Sequence, residues 1–401
     1  MAPYESDDAT GAERDEDLPT GRRKAARYVV PVAVVGVAAA TIGLVPALAD
    51  SGDPDLPKIT AQQLIDKIAK SDVQQLSGTV KVSTDLGLPD LGGLESGLMS
   101  GAAGGGDGSS ADPQSKLTEL VSGTHTLRVA ADGPDRQKLS LLESGSEYSV
   151  VHDGKDVWGY DSKSNEVYHS ATAESGGRHR AEQPPATPKN FADEALKAVD
   201  DTTSVTVDGT AQVAGRDAYK LLIKPRQSGT TVGAVSIAVD AKTGMPLKFT
   251  LTPRSGGAAV LDAGFTQVSF GKPAASTFDF TPPKGAKVTE GKESGKGRAP
   301  EHAPQGGEHL AKGLNGATVL GKGWTSVATF DTGGKGGAPS GDQGGALGGF
   351  LGSLGDQVSG EFGKGTVFST RLVNALITDD GKVYAGAVTK DALVKAANTG
   401  K

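Results

Sequence analysis

Cysteine is absent from the 401 residues, and aromatic residues make up only 5% of the chain. Without cysteine the protein has no disulfide framework, no thiolate nucleophile, no cysteine-ligated metal site and no attachment residue for a bacterial lipid anchor. Basic residues are fewer than acidic ones, 41 against 48, so the formal net charge is −7. Because no basic stripe with interleaved aromatic residues occurs, the sequence predicts no nucleic-acid partner.

Motifs of catalysis are missing as well. No serine lies in a G-x-S-x-G elbow, no Gly-Lys pair is followed by Ser or Thr, and the six histidines form no HExxH. The acidic pair Asp200-Asp201 lies in a predicted turn, where carboxylates bond the local backbone. His169 ends a predicted strand and is expected to be a strand-edge residue. We therefore predict that the protein is not an enzyme and binds no cofactor or metal.

One long apolar run indicates the location of the protein. Residues 28–49, YVVPVAVVGVAAATIGLVPALA, carry no charge and follow the basic cluster GRRKAAR. A bilayer core of roughly 30 Å needs about 20 apolar residues as a helix. The basic flank predicts residues 1–27 in the cytoplasm and the remainder outside. The run is either a single-pass anchor in the cell membrane, which we favour, or a signal cleaved after Ala49, where Ala-Leu-Ala has signal-peptidase spacing.

Two amphipathic helices and eleven strands are predicted over residues 58–288. The helices are 60–75 and 187–201, each opening on a threonine N-cap. The strands are 76–84, 125–131, 136–143, 147–152, 156–161, 166–170, 204–213, 216–225, 232–240, 245–253 and 260–270. Short polar connections predict antiparallel neighbours. The fold class is therefore mainly β (α+β): a curled, unclosed half-barrel whose concave apolar face the two helices cover.

Three other segments differ in composition from this domain. Residues 85–115 form an insertion too rich in Gly, Ser and Asp to fold alone; its leucines leave open a lid that enters a groove or a plain flexible loop. Residues 289–313 are predicted to be a linker. Residues 314–401 are predicted to form a small α+β module.

Three stretches of the chain resemble a known family. They are GRDAYKLLIKP (215–225), VSIAVDAKTGMPLKFTL (235–251) and FDFTPPKGAKV (278–288), and the most specific feature is V-D-x-x-T-G-x-P-L in the second. Over roughly residues 60–290 the chain resembles the LolA lipoprotein-carrier superfamily, which includes the sensor proteins RseB and MucB. The resemblance implies an eleven-stranded unclosed barrel plugged by helices, with a hydrophobic cavity that takes acyl chains.

The resemblance also implies two alternative functions. The carrier branch shuttles lipoproteins, whereas the sensor branch adds a carboxy-terminal domain and binds the membrane-anchored inhibitor of a sigma factor. We favour a tethered extracytoplasmic protein that binds a lipid or lipidated protein, with a regulator whose carboxy-terminal module binds a membrane protein as the alternative. The predicted cavity lining is Val80, Val82, Leu127, Val129, Trp158, Tyr219, Leu221, Ile237, Leu247 and Phe249. For Trp158, a place in the core is an alternative to a place in the pocket.

Overall fold

The structure is a computed structural model that describes residues 53–87, 109–113, 116, 122–171, 187–291, 318–331 and 355–400. These residues form two β-sheets and three α-helices. The first sheet contains β1 (Gln75–Thr84), β2 (Gly123–Asp132), β3 (Arg136–Glu143), β4 (Ser146–Asp153), β5 (Asp156–Asp161), β6 (Glu166–Ala171), β7 (Thr203–Val213), β8 (Arg216–Pro225), β9 (Val232–Asp240), β10 (Pro246–Pro253), β11 (Leu261–Ser269) and β12 (Lys287–Glu290). The second contains β13 (Thr318–Leu320), β14 (Val327–Asp331), β15 (Asp356–Gly360), β16 (Gly363–Ser369), β17 (Asn374–Thr378) and β18 (Lys382–Gly386). The helices are α1 (Ala61–Ala69), α2 (Pro188–Lys197) and α3 (Lys390–Thr399).

No helix among these residues is long and apolar enough to cross a membrane. The predicted anchor at 28–49 and the head at 1–27 lie outside the described residues. Most of the predicted linker, 289–313, and most of the insertion lie outside them too.

The first sheet is an unclosed sheet of mainly antiparallel strands, consistent with a half-barrel. Its strand order is β12-β6-β5-β4-β3-β2-β1-β11-β10-β9-β8-β7, so β12 and β7 are its two edges. All eleven predicted strands are present, with ends shifted by two residues at most. The prediction succeeded here because alternating side chains and short polar turns are local signals.

Both predicted helices of this domain are present but shorter than predicted. The capping box of Thr60 and Gln63 opens α1, yet the helix ends at Ala69 because the chain must be extended by Gln75, where β1 begins. Similarly, α2 ends at Lys197, since the carboxylate of Asp200 accepts the backbone N–H of Thr202 at 2.8 Å and forms a turn.

Two faces of the first sheet have different covers. We call inner the face that carries Val80 and Leu127, on which α1 packs against β7 and β8 and α2 against β10 and β11. Part of the connection from β11 to β12 lies on the outer face, where Thr277 lines a groove and Phe280 lies beside Trp158. Phe278 in this connection is 1% exposed, and the Phe280 ring lies 5.5 Å from that of Trp158. Both faces therefore bury apolar side chains.

The twelfth strand was not predicted. β12 pairs in parallel with β6, Lys287 opposite Glu166 and Glu290 opposite His169. Its last residues fall in the stretch predicted as linker. Partners more than a hundred positions apart leave no periodic signal in such a short polar sequence.

The second sheet has its own core and docks on the first. Its cluster contains Val367, Leu376, Tyr384 and, from α3, Leu393. Thr230, before β9, forms a β-bridge with Val388, and the indole N–H of Trp324 donates to Thr203 at 2.8 Å. Asp53–Lys401 accordingly forms one compact unit.

The V-D-x-x-T-G stretch locks three elements together. The buried carboxylate of Asp240 accepts from Arg216 Nε at 2.5 Å and Nη2 at 3.0 Å, and from the backbone N–H of Thr243 at 2.7 Å. Gly244 has a φ of 75°, and a Cβ atom there would collide with the carbonyl of Lys67 at the end of α1. The stretch thus joins the β9–β10 turn to β8 and α1.

Replacing Asp240 should therefore reduce stability. Burial opposes the charged carboxylate, but the hydrogen bonds from Arg216 and Thr243 outweigh it and hold the pKa of Asp240 below its usual range. We expect Asp240→Ala to lower the free energy of unfolding in urea by about 2–3 kcal/mol at neutral pH. This difference should shrink as the pH falls below the ordinary aspartate range and through the lowered pKa.

Asp217→Ala is the matched control, because Asp217 is exposed on the adjacent strand. It should change the free energy of unfolding by about 0.5 kcal/mol or less. Equal losses for the two variants would contradict the role given to Asp240.

Candidate ligand-binding site

Strand register places eight of the ten predicted lining residues on the inner face. Val82 pairs with Ala263, Ala263 with Phe249, Phe249 with Ile237, and Ile237 with Leu221, so one apolar row crosses five strands. Paired residues in an antiparallel ladder point to the same face. This row contains four of the predicted lining residues. The other four on the inner face are Val80, Leu127, Val129 and Tyr219.

Leu247 also lies in the core of the inner face, although it is not part of the regular strand pairing. The register of β9 and β10 shifts between Pro246 and Lys248, which leaves Leu247 without a paired residue. It nevertheless belongs to the buried cluster that contains Val80 and Leu127. The bulge thus adds an apolar side chain to the inner face.

These nine residues are divided between two buried clusters. The first core cluster holds Val80, Val82, Leu127, Val129 and Leu247. The second holds Tyr219, Leu221, Ile237 and Phe249 together with Leu64 and Ile68 of α1 and Ala192 of α2. None of the nine is more than 8% exposed, so a ligand can reach them only when a covering element moves.

Phe191 of α2 connects the two clusters. It packs against both, and its ring lies 5.5 Å from that of Phe249. As part of the apolar stripe of α2, Phe191 makes this helix the element that closes the boundary between the clusters.

Trp158 is a correction to the predicted lining. It pairs with Val151, while its neighbour Gly159 pairs with Val150 on the inner side. Because successive residues of a strand alternate between faces, Trp158 points to the outer face. There it stacks on His169 with 3.8 Å between ring centroids.

His169 occupies a charged cluster that the sequence did not reveal. Its Nδ1 lies 2.8 Å from the carboxylate of Glu290 and its Nε2 lies 2.9 Å from that of Asp156. Two donated bonds require two N–H groups, and only the imidazolium has both. The hydrogen bond to Asp156 raises the pKa of His169 most; burial partly opposes it, and Glu290 adds to the rise.

The geometry of this cluster indicates a structural role. The two carboxylates contact opposite nitrogens of one ring and do not converge on a common point. Among the residues described by the structure, no group of three metal-binding side chains is found. His169 instead joins β12, through Glu290, to β5, through Asp156.

The outer face also carries a groove of about 480 Å³ with a mixed polar and apolar lining. Lys138 and Arg128 lie beside the hydroxyls of Thr79, Ser140 and Thr277. The charged and hydroxyl groups of this lining suit polar ligand groups, whereas the inner face offers the apolar contacts that an acyl chain needs.

Comparison with known proteins gives structural neighbours. No family model matches the chain, and no curated protein matches it. Similar solved structures include the MucA/MucB complex of Pseudomonas aeruginosa (17% identity, 84% of this chain and 96% of that chain, TM-score 0.38). They also include a LolA superfamily protein from Nitrosomonas europaea (10% identity, 56% and 99%, TM-score 0.22) and an uncharacterized conserved protein from Thermus thermophilus (14% identity, 57% and 98%, TM-score 0.31). The group named from the sequence is therefore represented among the neighbours.

The His169 cluster predicts a pH-dependent contribution to stability. A raised pKa means that the contribution is complete below about pH 6.5 and is lost as the pH rises through the folded-state value. We expect His169→Gln to lower the free energy of unfolding by about 0.5–1 kcal/mol more at acidic than at alkaline pH, since Glu290 is solvent-exposed and its ion pair is screened.

Urea unfolding at about pH 5.5 and about pH 9 measures the difference. In the wild-type background, Glu290→Gln should remove part of the extra stability at acidic pH. In the His169→Gln background, Glu290→Gln should leave the difference in unfolding free energy between the two pH values unchanged. An identical effect of His169→Gln at both pH values would show that the imidazolium is not what stabilises the pairing of β12.

Proposed function

We propose that the protein is an extracytoplasmic binding protein, tethered by residues 28–49, whose inner face holds an acyl chain of a lipid or lipoprotein. The observation that carries this proposal is the unbroken apolar row from Val82 through Phe249 to Leu221. The resemblance of residues 235–251 to LolA-type proteins supports the same ligand class.

The energetics fit a ligand that is bound and later released. Burial of each methylene contributes about 0.8 kcal/mol, so a chain of about 14 carbons contributes roughly 11 kcal/mol. Association costs about 4–15 kcal/mol in lost freedom. Opening the closed inner face adds a further cost, because the nine lining residues are buried beneath other parts of the chain. Net affinity is therefore expected to be modest.

Native mass spectrometry of the 401-residue chain tests the proposal directly. The protein is purified from its own membrane fraction without detergent exchange. A bound mass that is released as fatty acid or phospholipid on denaturation is the expected result. An apo mass that takes up no added lipid would overturn the acyl-binding proposal.

Val129→Thr tests whether the ligand lies on the inner face. The change keeps the shape of the side chain but adds a hydroxyl, which an acyl chain would desolvate without a partner. We expect fatty-acid affinity to fall about five- to tenfold. Thr126→Val on the outer side of the same strand is the control and should bind as the wild type does. Unchanged affinity in a folded Val129→Thr variant would contradict an inner-face site.

A regulator that binds a membrane protein is the second candidate. The observation that favours it is the six-stranded sheet, which has its own buried cluster and is held to the first sheet by Trp324 and Val388. Such a module is unnecessary for enclosing a lipid. It offers a protein partner a surface in a fixed orientation.

Deletion of residues 310–401 separates the two candidates. If the second sheet recruits the partner, crosslinking to membrane proteins should disappear while the bound lipid mass persists. Circular dichroism must first show that the shortened protein is folded, because Trp324 packs on the second core cluster. Loss of lipid with crosslinks retained would reverse the assignment.

A further inference from the structure

Residues 109–113, which belong to the insertion, and Lys116, which directly follows it, lie on the inner face over β4, β5 and β6. We call them the inner-face segment. Ala111 is 0% exposed, and its carbonyl oxygen accepts the hydroxyl of Tyr148 at 3.1 Å. Tyr148 belongs to the first core cluster, together with Val80 and Leu127. The segment therefore touches the same apolar surface that the proposed ligand would use.

Gly159 provides the space for this contact. Its paired residue is Val150, on the inner face. A Cβ atom on Gly159 would overlap the carbonyl oxygen of Ala111 and come within 3.2 Å of the Tyr148 hydroxyl. Only glycine lets the backbone of the segment approach this strand so closely.

Glu166 holds the beginning of the segment. One carboxylate oxygen accepts from Ser109 Oγ, Ser110 N and Ser110 Oγ, each at 3.0 Å, and the other lies 3.0 Å from Lys287. These bonds, that of Lys287 first, lower the pKa of Glu166 to about 2. The carboxylate therefore remains charged, and remains an acceptor for the serines, across the physiological pH range.

Lys116 holds the far end of the segment through two carboxylates of the same face. Its ammonium lies 3.6 Å from Glu143 and 3.4 Å from Asp161, and 5.7 Å from the centre of the Tyr148 ring. The side chain of Asp161 is only 7% exposed. A buried carboxylate is stable when a cation accompanies it, so these groups draw the segment back when it leaves.

The attachments of the segment are mostly polar, unlike those of the helices. α1 inserts Leu64 and Ile68 into the second core cluster, whereas the described part of the segment buries the methyl group of Ala111. Hydrogen bonds made by the segment exchange with water at small net cost. Release of the segment therefore separates charged and polar partners and uncovers little apolar surface of its own described residues.

We propose that the inner-face segment is autoinhibitory: it occupies the inner face over β4–β6 and must leave before an acyl chain can lie there. This inference rests on the proposed function, since it describes the regulation of the same site. A ligand or partner that displaces the segment would load the protein, and return of Lys116 to its carboxylates would favour unloading.

Two substitutions test the proposal on residues 53–401, with a fluorescent fatty acid of about 16 carbons as the probe. Gly159→Ala should expel the segment by overlap, and Tyr148→Phe should weaken it by removing one hydrogen bond. We expect each to bind the probe about three- to tenfold more tightly than the wild type. Gly264→Ala is the matched control, because the atoms nearest to a Cβ there belong to the flexible Lys248 side chain, at 3.2 Å or more, on the outer face.

Trypsin cleavage after Lys116 provides a second readout that does not depend on affinity. The bond should be cut faster in both variants than in the wild type, and added fatty acid should accelerate its cleavage in the wild type. Circular dichroism verifies that the variants are folded. Unlike tighter binding, exposure of Lys116 cannot result from a merely more apolar pocket in Tyr148→Phe.

The possible outcomes distinguish failure of the autoinhibition proposal from failure of the acyl-binding proposal. Wild-type affinity in both variants, with the probe still bound, would overturn autoinhibition and leave acyl binding intact. Binding of the probe by the two variants but not by the wild type would support both autoinhibition and acyl binding. Absence of binding in every protein would overturn acyl binding and the inference that rests on it.

Discussion

Alternation of side chains between the two faces of the first sheet is the constraint on which the rest of the structure depends. Val80 and Val82 reach the inner face only because Thr79 and Lys81 point outwards, and a shift of one residue would reverse every strand. The apolar inner face of a twelve-stranded sheet must be shielded from water by other parts of the chain. The helices cover one half, and the inner-face segment covers part of the other.

Local signals made most of the fold predictable, and distant contacts explain the errors. Period-2 patterns identified eleven strands, and threonine caps identified the starts of α1 and α2. Trp158 was wrongly placed in the cavity lining, because the inner position belongs to its neighbour Gly159, which has no side chain to mark that face. Glycine is required there by the backbone of Ala111, which packs above it. The sequence around β5 contains no trace of that partner, and the same is true of β12.

The face to which the candidate lining residues point was predictable, but the individual contacts that bury them were not. Nine of the ten lining residues share the inner face, because alternation alone determines their direction. Their burial depends on Leu64 and Ile68 of α1 and on Phe191 of α2, which belong to other parts of the chain. The V-D-x-x-T-G stretch, in turn, has a structural role: Asp240 fixes a turn against Arg216. A resemblance carried by such residues indicates architecture, and the ligand must be inferred from the surface that the architecture encloses.

The position of the insertion gives the fold a capacity for diversification. β1 and β2 pair along their whole lengths, from Gln75 opposite Asp132 to Thr84 opposite Gly123. Their adjacent ends could be joined by a short turn, so the ladder places no demand on the length or composition of residues 85–122. Variation of this loop can therefore leave the pairing of β1 and β2 intact, although Gly159, Glu166 and Asp161 are matched to the present loop. For the same reason, the loop is the natural place for a laboratory library.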